Sequence, residues 1–274
     1  NYSGVQDWLE YSTRSNIEIS DRLREADEDK VMSLDSLETS LKLLDSLKSQ
    51  FIPIANFGIP EIDGSSNVIG TPLLQHRLIT IVGAENVGKT MFAKDVTTNV
   101  ILAGKRVLYM CGENAKSKMY SEILINFIAK KYQMYVLPSH VQDVSSCPEH
   151  VRKVINMAAS ELVESNSLVL RDSYSYDTLY DELVADYDRY QPDVFIIDHS
   201  FALSGGYNGD NGKRNVDGLA KDLKDFRKAY PVCILALSHP SIYAKDCIDR
   251  DKAIEQSPTK GSQNLSTDSD DVYV

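Results

Sequence analysis

The segment from Gly83 to Thr90 has the composition and spacing of a phosphate-binding loop. Its sequence, GAENVGKT, matches the pattern G-x-x-x-x-G-K-[S/T] in full. The apolar run before it predicts a strand, and the residues after Thr90 predict a helix. Backbone N–H groups of such a loop form an anion-binding nest at the helix N-terminus. The residues expected to contact nucleotide phosphates are Gly83, Ala84, Glu85, Asn86, Val87, Gly88, Lys89, Thr90 and Met91.

Two side chains of the loop and one distant acid predict a site for ATP, or another nucleoside triphosphate, with Mg²⁺. We expect the Lys89 ammonium to reach the β- and γ-phosphates and the Thr90 hydroxyl to ligate Mg²⁺. Asp198 ends the apolar run VFIID, where a second magnesium-directed carboxylate is expected beside a phosphate loop. A strand-ending Asp is also a common cap of a helix or turn, but an intact phosphate loop in the same chain favours the metal role.

Glu113 and His239 also follow apolar, strand-like runs, RVLYMCG and CILALS. A carboxylate at position 113 could orient or deprotonate the water that attacks the γ-phosphate. A solvated loop acid is an equally good interpretation of the spacing. The His239 imidazole could donate a hydrogen bond to the γ-phosphate and respond to its loss, although a histidine before Pro240 also suits an ordinary turn.

Strand-like and helix-like segments alternate from the phosphate loop to the end of the chain. Continuous apolar strands between helices predict an α/β fold with a mostly parallel sheet covered on both faces. Ligands of such sheets bind beyond the carboxyl ends of the strands. The predicted strands are Leu78 to Val82, Arg106 to Cys111, Ser167 to Asp172, Asp193 to Asp198 and Val232 to Ser238. The predicted helices are Lys116 to Lys131, Glu149 to Glu164, Asp177 to Tyr190 and Val216 to Tyr230, besides the one that follows the loop.

Two long polar segments are predicted to leave the same edge of the sheet as loops. The first is Ala202 to Gly218, with Lys213 and Arg214, and the second is Ile242 to Gln263, with Lys260 near its end. Loops of this length are usually functional, and these basic residues could contact a phosphodiester backbone. Nearby acids such as Asp249 keep an ordinary surface segment as the alternative.

Composition limits the classes of function. The net charge of −11 disfavours a protein that coats nucleic acid by bulk attraction, so any such contact must be local. No segment is long and apolar enough to span a bilayer, and we expect a cytoplasmic protein. The four cysteines lack C-x-x-C spacing, and Cys111 and Cys233 lie in runs where a buried thiol is expected.

The N-terminal part predicts a helical appendage over residues 1–50, before an α/β domain over 51–274. Leucines recur at three- and four-residue steps after Ser33, which is placed to cap an amphipathic helix. The stripe could pack on its own domain or on a neighbouring subunit; it comprises Leu34, Leu37, Leu41, Leu44 and Leu47. Because the chain starts with Asn1 and stops inside the strand-like run DVYV, we expect it to be a piece of a longer protein.

Six segments together resemble the RecA-type motor domain of DnaB-like replicative helicases, including the helicase part of phage primase-helicases. They are FGIPEIDG, GAENVGKT, the Glu of MCGENA, VFIIDHS, ALSHP and KGSQNLSTDSDDVYV, and the resemblance extends from about Phe57 to Val274. It differs at His199, where the bacterial enzymes commonly have Tyr. The family's basic finger, which acts on the neighbouring subunit, lies beyond the strand at which this chain stops.

The resemblance implies a RecA-like P-loop NTPase and a role for each motif residue. Lys89 and Thr90 hold triphosphate and Mg²⁺, Glu113 is the catalytic carboxylate, and Asp198 is the second acid. His239 takes the place of a γ-phosphate sensor. The second DNA-contacting loop corresponds to Lys260, Gly261 and Gln263.

The activity implied is that of an ATP-hydrolysing DNA helicase that works as a hexameric ring on single-stranded DNA during replication. A primase or a loader is an implied partner, and a bacterial or phage-infected cell is the implied host. Two alternatives stay open. One is a RecA-like recombinase or a KaiC-like clock-type ATPase, and the other is a regulatory nucleotide-binding module with little turnover.

Replacing Lys89 by Ala should abolish triphosphate binding and leave the fold intact, because the change removes the cation that faces the phosphates and touches no predicted core position. Binding can be measured with a fluorescent ATP analogue, and folding by circular dichroism. Unchanged nucleotide affinity in a folded variant would contradict the assignment of the phosphate loop.

Overall fold

The structure is a computed structural model that describes residues 41, 52–63, 73–112, 114–175, 177–198, 211–250 and 264–274. The chain divides into two compact units, Asn1–Ser49 and Gln50–Val274. In the first unit the described residue is Leu41, which is helical and 55% exposed. The remaining leucines of the predicted stripe, and the Ser33 cap, lie outside the described residues.

The second unit is built on a six-stranded sheet. Ahead of it along the chain, β1 (Pro53–Ala55) and β2 (Leu73–Leu74) form a small antiparallel pair. The six strands follow the order β5-β4-β6-β7-β3-β8, and all their pairings are parallel. This arrangement confirms the predicted parallel sheet. The strands are β3 (Arg77–Val82), β4 (Val107–Met110), β5 (Leu168–Arg171), β6 (Val194–Ile197), β7 (Cys233–Ser238) and β8 (Asp271–Tyr273).

Helices connect the strands, as a parallel sheet requires, because each strand must return to the same edge before the next begins. A short 3₁₀ turn, Val144–Ser146, lies between two of them. The helices are α1 (Pro60–Asp63), α2 (Lys89–Leu102), α3 (Lys116–Tyr132), α4 (Pro138–Gln142), α5 (Glu149–Glu164), α6 (Leu179–Tyr190), α7 (Asn211–Ala229), α8 (Ile242–Asp249) and α9 (Asn264–Asp268).

Alternate positions of each strand enter two hydrophobic cores, one on each face of the sheet. In β4, Val107 and Tyr109 pack on the face covered by α2, α3 and α5. Leu108 and Met110 pack on the opposite face, which α6, α7 and α9 cover. Burial on both faces explains why these strands read as continuous apolar runs. Cys111 and Cys233 are buried, as predicted.

Both predicted loops contain helix, which corrects their boundaries. Helix α7 begins at Asn211, so Lys213 and Arg214 lie in its first turns and not in a loop. Glycines at 212 and 218 lower the intrinsic helix propensity of this segment, but the later turns of α7 pack in the core and the helix extends back from them.

The start of the second segment, predicted as a loop from Ile242, forms α8 (Ile242–Asp249) instead. The Ser241 hydroxyl caps this helix and accepts a hydrogen bond from the Ala244 N–H at 3.1 Å. Ala244 and Cys247, one turn apart, are buried. A serine followed by apolar residues at helical spacing is the signal that could have identified α8.

The described part of FGIPEIDG, Phe57 to Asp63, was predicted as part of a loop and folds around the carboxylate of Asp63 at the end of α1. That carboxylate accepts hydrogen bonds from the backbone N–H groups of Phe57, Gly58 and Ile59 at 2.6, 2.7 and 2.9 Å. The Phe57 carbonyl in turn accepts from the Asn99 side chain at 2.7 Å. Asp63 therefore fixes the chain between β1 and α1, and Asn99 joins that chain to α2.

Replacing Asp63 by Ala should lower the free energy of unfolding by about 1–3 kcal/mol, because three backbone donors lose an ionised acceptor. Urea denaturation measures the change. The matched control is Asp172→Ala, which removes an exposed carboxylate paired with Lys116 and should change stability by no more than about 0.5 kcal/mol. Equal effects of the two changes would contradict the role given to Asp63.

Candidate nucleotide-binding site

The carboxyl ends of three neighbouring strands bring the predicted nucleotide-binding residues together. Strand β7 lies between β6 and β3, so Asp198 after β6, His239 after β7 and the phosphate loop after β3 share one edge of the sheet. The Gly83 N–H donates to the Ser238 carbonyl at 3.2 Å, which ties the start of the loop to the end of β7.

A pocket of about 550 Å³ opens at this edge. Its size is within the range of small-molecule sites. It combines the phosphate loop with an acid from a second strand and a histidine from a third. The lining residues are Glu85, Asn86, Gly88, Lys89, Thr90, Asp198 and His239.

The backbone of the loop suits an anion. Gly88 has φ 100° and Asn86 has φ 62°, so the chain turns sharply before α2. A Cβ atom at Gly83 would lie 2.9 Å from a methyl group of Val87, so a larger residue there would have to displace that side chain. Helix α2 begins without a side-chain cap and without an acid in its first turn. Its first N–H groups and the positive end of the helix dipole are therefore available to phosphate.

Lys89 is folded back onto the loop. Its ammonium donates to the carbonyls of Gly83 and Ala84 at 2.6 and 2.8 Å. Burial lowers the pKa of Lys89 below its usual value, and the carboxylates of Asp198 and Glu85 partly counter this effect. The cation is therefore held at the pocket by the backbone that would surround the phosphates.

Asp198 contacts two hydroxyl groups. The Thr90 hydroxyl donates to Oδ1 at 3.2 Å, and the Tyr109 hydroxyl donates to Oδ2 at 2.7 Å. A hydroxyl and a carboxylate side by side form an oxygen donor set of the kind that Mg²⁺ prefers, since this ion usually takes one or two protein ligands and completes its shell with phosphate and water. Thr90 and Asp198 therefore fit a magnesium ion. The sequence did not identify Tyr109 as part of this site.

Several predicted residues have no described place at the pocket. Val87 and Met91 are 63% and 65% exposed and do not line it. Glu113 lies outside the described residues. The side chains of Lys213 and Arg214 are not described, and Lys260, Gly261 and Gln263 lie outside the described residues.

Other kinds of site receive no support from the described part of the chain. No three His, Cys, Asp or Glu side chains among these residues are grouped so that they could hold a metal ion. All four cysteines are free and buried, and burial raises the pKa of the Cys111 thiol to about 11. None of the helices described is long and apolar enough to cross a membrane.

Comparisons with known proteins agree with this geometry. The sequence model of the DnaB-like helicase C-terminal domain matches residues 67–274. No curated protein sequence matches the chain. Among solved structures, one of an ATPase domain has a TM-score of 0.65 at 18% identity, over 88% of this chain and 83% of that chain.

A second solved structure, of a DnaB-like replicative helicase described together with its interactions with primase, is equally similar. Its TM-score is 0.65 at 18% identity, over 88% of this chain and 56% of that chain. The chain thus spans little more than half of that protein. At this identity the two structures support the fold alone, which is the predicted RecA-like one.

The family match covers most of the sequence and includes the phosphate loop and the strands that surround it. The chain therefore belongs to the family of DnaB-like helicase C-terminal domains and is a replicative helicase-type ATPase.

Proposed function

We propose that the protein is an ATP-driven DNA helicase motor that moves along single-stranded DNA during replication and works as a hexameric ring. The observation that carries the proposal is the pocket that joins the phosphate loop, Asp198 and His239. These groups follow three different strands, so the loss or gain of a γ-phosphate would change contacts at three strand ends. The proposed DNA-binding segments leave the sheet at the same edge.

In the nucleotide-bound state Lys89 exchanges its two carbonyl acceptors for oxygens of the β- and γ-phosphates. Thr90 and Asp198 hold Mg²⁺, which when bound neutralises the charge of the phosphates. Glu113 orients the attacking water and accepts its proton. His239 donates to the γ-phosphate and is released when the phosphate leaves.

The DNA contacts in this proposal are local and basic. Lys213 and Arg214 in the first turns of α7, with Lys260, Gly261 and Gln263, contact the phosphodiester backbone of the strand. A chain with net charge −11 needs such a confined basic surface to approach DNA. A primase or a loader is a further proposed partner, and replication would place the protein in the cytoplasm of a bacterial or phage-infected cell.

ATP hydrolysis by the full-length protein, measured with and without single-stranded DNA, tests the proposal when combined with strand separation on a forked duplex. We expect DNA to accelerate hydrolysis and ATP to drive separation. DNA-stimulated hydrolysis without separation would indicate a recombinase-like or clock-type ATPase. Little turnover in either condition would indicate a regulatory nucleotide-binding module.

Replacing Glu113 by Gln should preserve ATP binding and remove hydrolysis, because the side chain keeps its shape but loses its basicity. The expected loss of turnover is about 100-fold or more. ATP affinity and the rate of phosphate release measure the two effects separately. Glu149→Gln, an exposed change on α5, is the control. Hydrolysis at the parent rate in the Glu113 variant would make this residue an ordinary loop acid.

Removing the basic residues should weaken binding of single-stranded DNA equally for all base sequences and flatten its salt dependence. Each lost phosphate contact lowers the slope of log K against log[salt] by about 0.7. We therefore expect a change of about 0.7 for Lys260→Ala and about 1.4 for Lys213→Ala combined with Arg214→Ala. Fluorescence anisotropy of labelled oligonucleotides measures both slopes.

The control for these variants is Lys153→Ala, which removes an exposed lysine that pairs with Glu149 on the same helix. It should leave the slope unchanged. Slopes that stay at the parent value in the Lys260, Lys213 and Arg214 variants would assign these residues to another role.

A further inference from the structure

Asp198 is held from both of its carboxylate oxygens. Thr90 from α2 contacts Oδ1, and Tyr109 from β4 contacts Oδ2. The Asp198 N–H also donates to the Met110 carbonyl at 3.3 Å, which joins the acid to β4 a second time. Asp198 is only 5% exposed, so few other donors can reach its side chain.

Packing alone does not explain why the residue at position 109 carries a hydroxyl group. Its ring is fully buried among apolar residues on the face of the sheet covered by α2 and α3. A phenylalanine or leucine would fill this space without a polar atom. A buried hydroxyl is tolerated when it has a hydrogen-bond partner, and here that partner is Oδ2 of Asp198.

The direction of this hydrogen bond follows from the chemistry of the two groups, because a phenol O–H donates and a carboxylate oxygen accepts. A carboxylate with a short donor on one oxygen loses freedom to rotate about its terminal bond, which is otherwise a broad torsion.

We propose that Tyr109 is a positioning residue that fixes the Asp198 carboxylate so that Oδ1, beside Thr90, faces the magnesium site. Tyr109 lies on β4, the strand that leads to Glu113, and Asp198 follows β6, the neighbouring strand. The contact therefore also sets the metal-directed acid relative to β4, the strand that precedes Glu113 in the sequence. This inference depends on the proposed function because it assigns Mg²⁺ to Thr90 and Asp198.

The test is a comparison of nucleotide affinity with and without Mg²⁺ in the full chain. The dissociation constant of a fluorescent ATP analogue is measured in saturating Mg²⁺ and again in EDTA, and the ratio of the two is the gain due to the metal. Tyr109→Phe removes one oxygen atom and keeps the ring. We expect this gain to shrink about tenfold, as for the loss of a hydrogen bond to a charged group, with the affinity in EDTA unchanged.

Tyr174→Phe is the matched control. Tyr174 is also fully buried, and its hydroxyl donates to the Asp186 carboxylate at 2.9 Å, away from the pocket. Loss of this hydrogen bond should lower stability without changing the gain due to Mg²⁺. In the Asp198→Asn background the Tyr109→Phe change should have no further effect on the gain, because the oxygen that it positions no longer carries the charge.

If Tyr109→Phe does not fold, a second experiment that leaves the hydrogen bond intact can test the proposal. Incorporation of 3-fluorotyrosine at position 109 retains the hydroxyl, and its ¹⁹F resonance should move when Mg²⁺ is added to the nucleotide complex. A resonance that stays in place would contradict the proposal, as would an unchanged gain in folded Tyr109→Phe.

The result for the parent protein separates the two levels of inference. If the parent binds nucleotide more tightly with Mg²⁺, and Asp198→Asn loses this gain while Tyr109→Phe keeps it, only the role of Tyr109 is refuted. If the parent shows no gain from Mg²⁺, the metal assignment in the proposed function fails, and the role of Tyr109 fails with it.

Discussion

The parallel pairing of β6, β7 and β3 is the constraint on which the site depends. Backbone hydrogen bonds align Val82 with Ser238 and Ile197 with Ala236. His239 and the phosphate loop therefore begin at the same level of the sheet, and Asp198 emerges beside them. A slip of one residue would turn every side chain of a strand to the opposite face. The site is thus as precise as the strand register, and the two buried cores hold that register in place.

The sheet also separates two sets of helices with different tasks. Helix α2 extends the phosphate loop, and it packs with α3 and α5 on the face that contains Tyr109. Helix α7, whose first turns hold Lys213 and Arg214, packs on the other face. The phosphate loop therefore leads into a helix on one face of the sheet. The proposed DNA-contacting residues Lys213 and Arg214 belong to a helix on the other face, and the strands lie between the two helices. The central strands β6 and β7 are fully buried, so they belong to the closely packed and poorly compressible interior.

Much of this arrangement could be predicted from the sequence, because the strands VFII and CILAL are too apolar for any but a doubly covered sheet. The phosphate loop was equally clear, since its pattern and both flanking elements agree. The start of α7 could not be predicted in the same way. Gly212 and Gly218 are typical of turns, and the packing that extends the helix comes from residues later in the sequence. The capping serine of α8 was a visible signal, but basic residues drew the interpretation toward a loop.

The contacts that fix the site were beyond the reach of sequence patterns. Tyr109 precedes Asp198 by 89 positions, and an aromatic residue in an apolar strand looks like an ordinary core residue. Only the three-dimensional arrangement shows that its one polar atom meets a carboxylate. Asp63 is a similar case, since its carboxylate oxygens accept hydrogen bonds from backbone N–H groups. The pattern of side chains along the sequence does not reveal such contacts.

The position of Lys89 bears on how readily the site empties. An ammonium group left in a half-buried pocket after its anion departs would carry an unpaired charge, which is costly in a poorly solvated place. Here the Gly83 and Ala84 carbonyls stand ready to accept its protons. In the hydrolysis proposed above, departure of phosphate would exchange one set of acceptors for the other at a single nitrogen. The charge of Lys89 would then stay hydrogen-bonded between one nucleotide and the next.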